Sequence, residues 1–131
     1  MKGKDTRPEL FVRKLVYHLG FGYRLHDPRL PGKPDLVFRK TRKVIFVHGC
    51  FWHRHQCRNG RANPKTNNEF WQKKLGANVS RDRRNRTALK KDGWKVLVVW
   101  ECQTVEARRG WLQDKLGKFL GPQPSPQGTQ R

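Results

Sequence analysis

Acidic residues are scarce in this chain: ten Asp and Glu stand against thirty Lys and Arg, a formal charge of +20 over 131 residues. So one-sided a balance excludes a polycationic substrate and calls for a polyanion, with nucleic acid the expected partner. A ribosomal site or an anionic membrane surface are the alternatives, but no segment joins a basic face to the continuous apolar face of an interfacial helix. Long apolar runs are missing too, and the opening MKGKDTR has no hydrophobic leader core. A soluble, intracellular protein without a membrane partner is therefore expected. Cysteine is limited to three residues, an odd number that argues against a disulfide framework and for a reducing compartment. The length suits one domain, placed at residues 1–120, and the Pro- and Gln-rich residues 121–131 read as a disordered tail.

What the chain does have is concentrated. VHGCFWHRHQC, from Val47 to Cys57, packs three histidines, two cysteines and two adjacent aromatics into eleven residues, and the third cysteine, Cys102, lies far downstream. A tetrahedral structural zinc takes four thiolate or imidazole ligands, and Cys50, His55, Cys57 and Cys102 supply four. His53 is an alternative imidazole ligand, although His55, in a His-x-Cys step with Cys57, is better spaced. A reactive thiol or buried apolar thiols are the non-metal readings.

Around this cluster the pattern predicts alternating helices and strands. Thr6 as N-cap, Pro8 in the first turn and Glu9 in capping-box position start a helix with Val12, Leu15, Val16 and Leu19 inward, stopped by Gly20. Tyr23 to His26 reads as a short strand before the loop DPRLPGKP. Asp35–Phe38 and Lys43–Val47 read as a hairpin around a charged turn. Asn68 to Lys91 has helical composition, with Phe70, Leu75, Val79 and Leu89 inward and a break near Gly76. The apolar run VLVVW predicts a central strand from Trp94 to Trp100, parallel to its predecessor, followed by a helix from Thr104 to Leu120 with Val105, Leu112, Leu116 and Phe119 inward.

Several residues could carry chemistry. Asp35 opens a strand after a Pro-rich loop, a position that can hold a Mg²⁺ carboxylate rigidly, and Mg²⁺ needs few protein ligands beyond it. The hairpin brings Asp35 toward Val47 and His48. His48 and His53 flank the zinc cluster with imidazoles able to transfer protons near neutral pH. Glu9 is explained equally well by helix capping. Phe51 and Trp52, among proposed zinc ligands in a polar loop, suit insertion between base pairs, which is easiest where a mismatch has weakened the stack. Trp71 could join them or belong to the core.

With GKPDLVF, VIFVHGCFWHRHQC, NNEFWQKKLGANVSRDRR and GWKVLVVWEC in view, the chain resembles the very-short-patch repair (Vsr) DNA mismatch endonucleases over residues 5–103. The resemblance implies an α/β, restriction-endonuclease-like mixed sheet flanked by helices, with a structural zinc site. It implies a Mg²⁺-dependent nick 5′ to the thymine of a T:G mismatch in double-stranded DNA, the lesion left when 5-methylcytosine deaminates. Carried over by residue, Asp35 is the Mg²⁺ carboxylate and Val47 lends its main-chain carbonyl, at a position where the best-known member has threonine. His48 and His53 are the catalytic histidines, and Glu9 supports the site through His53 or a cation-bound water. Cys50, His55, Cys57 and Cys102 hold zinc, while Phe51, Trp52 and Trp71 form an aromatic wedge. Such an enzyme is expected to act as a monomer in the bacterial cytoplasm, at the nucleoid. The competing expectations are a zinc-stabilised module that binds distorted DNA without cutting it and a related nuclease with altered targets.

Overall fold

Thr6 opens the first helix as the sequence predicts: its hydroxyl accepts from the Glu9 backbone N–H, Pro8 lies in the first turn, and α1 runs Arg7–His18. The computed structural model of the protein describes residues 6–51, 55, 57 and 67–122. Val12, Leu15 and Val16 form the buried stripe of α1, and Gly20, in the left-handed region at φ 90°, turns the chain away from it.

Four strands follow: β1 (Arg24–Leu25), β2 (Leu36–Phe38), β3 (Lys43–His48) and β4 (Lys95–Trp100). They lie in the order β1-β2-β3-β4, antiparallel from β1 to β3 and parallel between β3 and β4. The expected hairpin and the parallel pairing after a helical crossover are both present. The central position expected for the VLVVW strand is not: β4 ends the sheet among the described residues, and β3 lies inside it. An unbroken apolar run reports two covered faces, not a place in the hydrogen-bonding order. Val99 packs with α1 and α3, whereas Val96 and Val98 pack beside Leu89 and Trp94.

The long helix α2 spans Asn68–Lys91, the predicted limits. It runs unbroken through Gly76, where a Cβ would meet nothing within 4 Å; an open glycine costs about 1 kcal/mol relative to alanine and need not kink a helix held elsewhere. Leu75 and Leu89 are buried as expected, but Phe70 is exposed and Val79 only half-buried. The last helix starts later than predicted. Two 3-10 turns, Glu101–Gln103 and Glu106–Arg108, precede α3 (Arg109–Leu120). The Gln103 side chain accepts from the Trp100 N–H, and the Thr104 hydroxyl donates to the Glu101 carbonyl, so local side-chain bonds displace the first helical turns. Val105 is exposed in consequence, while Leu112, Leu116 and Leu120 are buried and Phe119 packs against them in part.

The result is three layers. α1 and α3 cover one face of the sheet over Leu36, Phe38 and Ile45; α2 covers the other over Val37, Val44 and Phe46. No helix among the described residues is long and apolar enough to cross a membrane. The tail expected from residue 121 is described only at Gly121 and Pro122; residues 123–131 lie outside the described residues.

Candidate active site and metal centre

Sheet register assembles both clusters at the end of β3. The last parallel pair is His48 with Trp100; two residues further along each chain stand Cys50 and Cys102. The Cys102 N–H donates to Cys50 Sγ at 3.4 Å, and His55 Nδ1 lies 3.7 Å from Cys50 Sγ and 3.6 Å from Cys102 Sγ. With Cys57, these side chains present four ligand atoms all within 4.8 Å of one another, a set that could hold a metal ion. All three cysteines are free thiols, and Cys50 is fully buried. Burial, with further crowding from Cys57 and Cys102, pushes the Cys50 thiol up to about 12, and burial raises Cys102 as well. Two thiols held up in this way beside a third sulfur make sense as a cation cradle, because a bound metal reverses that penalty by stabilising thiolate. Glu101 braces the cradle: its Oε1 accepts from the Cys50 N–H at 3.3 Å.

The antiparallel register does the same for the acidic group. Leu25 pairs with Leu36, so the next residues outward, His26 and Asp35, oppose each other, and the His26 N–H donates to the Asp35 carbonyl at 3.3 Å. One Asp35 oxygen, Oδ2, accepts from the Val47 N–H at 2.6 Å; the other, Oδ1, lies 3.8 Å from His26 Nε2. His26 Nε2 is 2.5 Å from Glu9 Oε2, which also takes an ion pair from Arg13. Glu9, His26 and Asp35 thus converge as a second group able to hold a cation. Glu9 lies 2 % exposed, so capping position alone does not describe it: its backbone N–H donates to the Thr6 cap while its carboxylate turns toward His26 and Asp35.

Burial, opposed by the Val47 N–H and reinforced by the Glu9 charge, pushes the Asp35 carboxyl up to about 6. The unfolded chain releases this proton first, so folding loses stability as pH climbs from about 4 to about 6, and the penalty is constant above. Asp35→Asn, which keeps an acceptor for Val47, is therefore expected to raise stability of the metal-free protein at pH 7 by up to about 3 kcal/mol. The gain should vanish near pH 4. Urea titrations of the two proteins at both pH values check this, and equal midpoints at pH 7 would count against it.

His48 is buried at the end of β3, its ring 5.4 Å from that of Phe46 and 5.3 Å from that of Trp100. Trp100 also stacks on His55, 4.2 Å between centroids at 17°, so one indole links the expected catalytic histidine to an expected metal ligand. Phe51 and Trp71 meet edge to face at 5.7 Å, with exposed Phe70 against Trp71 at 5.4 Å. Two of the three expected wedge aromatics are therefore together. The third, Trp52, and the expected catalytic His53 lie outside the described residues.

His26, Trp100 and Glu101 are not singled out by sequence reasoning. For His26 the signal is register: pairing β1 with β2 sets it opposite Asp35. For Trp100 and Glu101 it is adjacency to Cys102.

A family model described as DNA mismatch endonuclease Vsr matches residues 1–59. The chain is 46% identical over 122 residues to the type II nicking enzyme V.XorIIP of Xanthomonas oryzae, covering 93% of this chain and 88% of that protein. It is 50% identical to the type II nicking enzyme V.NmeAIP of Neisseria meningitidis, over 76% of this chain and 71% of the relative. Against the DNA mismatch endonuclease Vsr of Escherichia coli it is 48% identical, over 76% of this chain and 63% of that protein. The motifs that carry the resemblance and these matches agree, and the chain belongs to the Vsr family of DNA endonucleases.

Proposed function

We propose that this endonuclease nicks one strand of double-stranded DNA 5′ to the thymine of a T:G mismatch, with Mg²⁺ at Asp35 and a structural zinc at Cys50, His55, Cys57 and Cys102. One observation carries the reading. A half-buried carboxylate is pinned to the backbone of Val47, three residues before the first ligand of a sulfur-rich metal cradle, so cleavage chemistry and a metal brace share one strand end.

Zinc is favoured by donor type and spacing. Ligands set tetrahedrally at the usual zinc–sulfur and zinc–nitrogen distances stand about 3.5–3.6 Å apart, sulfur to nitrogen; the two S···Nδ1 separations are 3.6 and 3.7 Å. Magnesium is favoured by the oxygen donors of Asp35 and the Val47 carbonyl, which leave most of the coordination sphere to phosphate and water. Bound there, the cation supplies Lewis-acid polarisation of the scissile phosphate and charge neutralisation at the leaving oxygen.

The chain's own groups do the rest. Asp35 holds its place through Val47, Glu9 lines the same pocket, and His48 and His53 are the proton-transfer groups that orient and deprotonate an attacking water. In-line attack leaves a 3′ hydroxyl and a 5′ phosphate. Phe51, Trp52 and Trp71 supply an aromatic wedge for the weakened stack, and some of the Lys and Arg side chains that wrap around α2 meet the phosphates. The mixed sheet with helices on both faces is read as a restriction-endonuclease-like domain over residues 1–120, working as a monomer in the bacterial cytoplasm, since a single-strand nick needs one active site.

A labelled T:G duplex incubated with Mg²⁺ and, separately, with chelator tests this. A nick on the thymine strand in the first tube alone is expected. Binding without a nick in either tube would make the chain a module for distorted DNA, and equal cutting of every mismatch would make it a nuclease of different specificity.

A further inference from the structure

We propose that His26 is a positioning residue for the reaction, holding the Glu9 carboxylate in register with Asp35. The inference rests on the reading of Asp35 as the cation-binding carboxylate, and three observations carry it. First, His26 is tied to both acids: its backbone N–H donates to the Asp35 carbonyl at 3.3 Å, its Nε2 reaches Glu9 Oε2 at 2.5 Å, and the same nitrogen lies 3.8 Å from Asp35 Oδ1. Second, Glu9 is 2 % exposed, and a carboxylate so buried keeps its orientation only through the groups bonded to it. Two of these meet at Glu9 Oε2: Arg13, one helical turn along α1, and His26, which comes from the sheet. Arg13 can set Glu9 relative to its own helix; His26 sets it relative to Asp35. Third, His26 holds φ at +48°, the left-handed region that a histidine enters at a cost. That backbone turn at the end of β1 carries its ring between the two carboxylates.

Without His26, the two carboxylates face each other with no imidazole between them, and the bond that reaches Glu9 Oε2 from the end of β1 is lost. With it, the imidazole separates them and fixes where Glu9 presents its charge beside the scissile phosphate. The group does not touch substrate; it acts through Glu9. Loss of such a supporting hydrogen bond costs about 10–100-fold in metal affinity or turnover.

The geometry selects the variants. Asn tolerates the left-handed conformation better than most residues, so His26→Asn keeps the backbone turn while falling short of Glu9. Gln is one methylene longer and restores a donor near the position of Nε2. On a T:G duplex with saturating Mg²⁺ and the zinc-loaded full chain, H26N is expected to lower kcat by about 10–100-fold with KM for DNA within about twofold. H26Q should recover most of that loss, and E9Q combined with H26N should be no slower than E9Q alone, because one residue acts through the other. Assays run below the melting temperature of every variant. Wild-type-like turnover in H26N, a loss confined to KM, or multiplying losses in the E9Q/H26N pair would each overturn the assignment of His26. Failure of the unaltered protein to nick with Mg²⁺ would instead overturn the reading of Asp35 on which it rests.

Discussion

Asp35→Asn is expected to abolish nicking, lowering kcat by on the order of 10³-fold or more, about 4 kcal/mol of transition-state stabilisation, while affinity for a T:G duplex stays within a few-fold. The substitution is nearly isosteric. The amide oxygen it introduces can still accept from the Val47 N–H, so the end of β3 keeps its tie to the loop before β2. What disappears is the charge, and a neutral amide cannot replace a carboxylate for a hard divalent cation. Since burial and the Glu9 charge already hold this carboxyl up to about 6, the same change should make the metal-free protein more stable at neutral pH. Lost activity with raised stability cannot be ascribed to unfolding. Undiminished nicking by the amide variant would remove Asp35 from the mechanism; equal loss of DNA binding and nicking would make it a binding residue. Single-turnover cleavage beside a binding titration in Ca²⁺ separates the two outcomes.

The contrast between Asp35 and His26 shows what residue order reveals and what it hides. Asp35 is legible because it stands at a strand start after three prolines, where local rules say both that the chain turns and that the next residues extend. Its partner Val47 is legible because a hairpin places one strand's start near the other's end. His26 follows β1, just two residues long and exposed, and nothing in so short a segment announces which strand it pairs with. The cluster of Glu9, His26 and Asp35 depends on three elements meeting, and hydrophobic period speaks for each element separately.

The same limit explains the edge position of β4 and the clear view of the metal cradle. Apolar runs encode coverage by helices, so VLVVW reads as central although the sheet ends there. Zinc chemistry is read differently: it requires four soft or borderline donors, and a chain with three cysteines has few ways to supply them. Composition therefore groups Cys102 with Cys50 without any knowledge of strand pairing. The parallel register of β3 and β4, His48 beside Trp100, supplies the physical reason they meet. Capping chemistry likewise locates the start of α1 to the residue, whereas the start of α3 is hidden because Gln103 and Thr104 bond the neighbouring backbone in ways that compete with a helical turn.

Loss of the metal should be felt across the whole strand end. Cys102→Ala, or dialysis against a strong chelator, is expected to release about one equivalent of zinc, destabilise the fold by at least about 3 kcal/mol and lower its Tm by roughly 10 °C or more for a chain of this size. Cys102 links the 3-10 turn after β4 to the loop after β3, closing a long stretch of chain that includes all of α2. Remove that link and three consequences follow together. The crowded thiols Cys50 and Cys57 lose the cation that makes their proximity favourable; His55 loses its anchor beside the Trp100 ring; and Phe51, next to Cys50, is no longer held against Trp71. Hydrogen-exchange protection should fall furthest at Val47, His48 and Trp100, beside the cradle, and less at Leu15, Ile45 and Leu116, in the core under α1 and α3. Nicking should fall with zinc content, although Asp35 is untouched, because Val47 and His48 belong to the strand end that the metal secures. Re-adding zinc to chelated wild type should restore Tm and nicking together, and re-adding Mg²⁺ alone should restore neither. Full thermal stability and full nicking in a preparation shown to contain no zinc would mean that the four donors serve some other end.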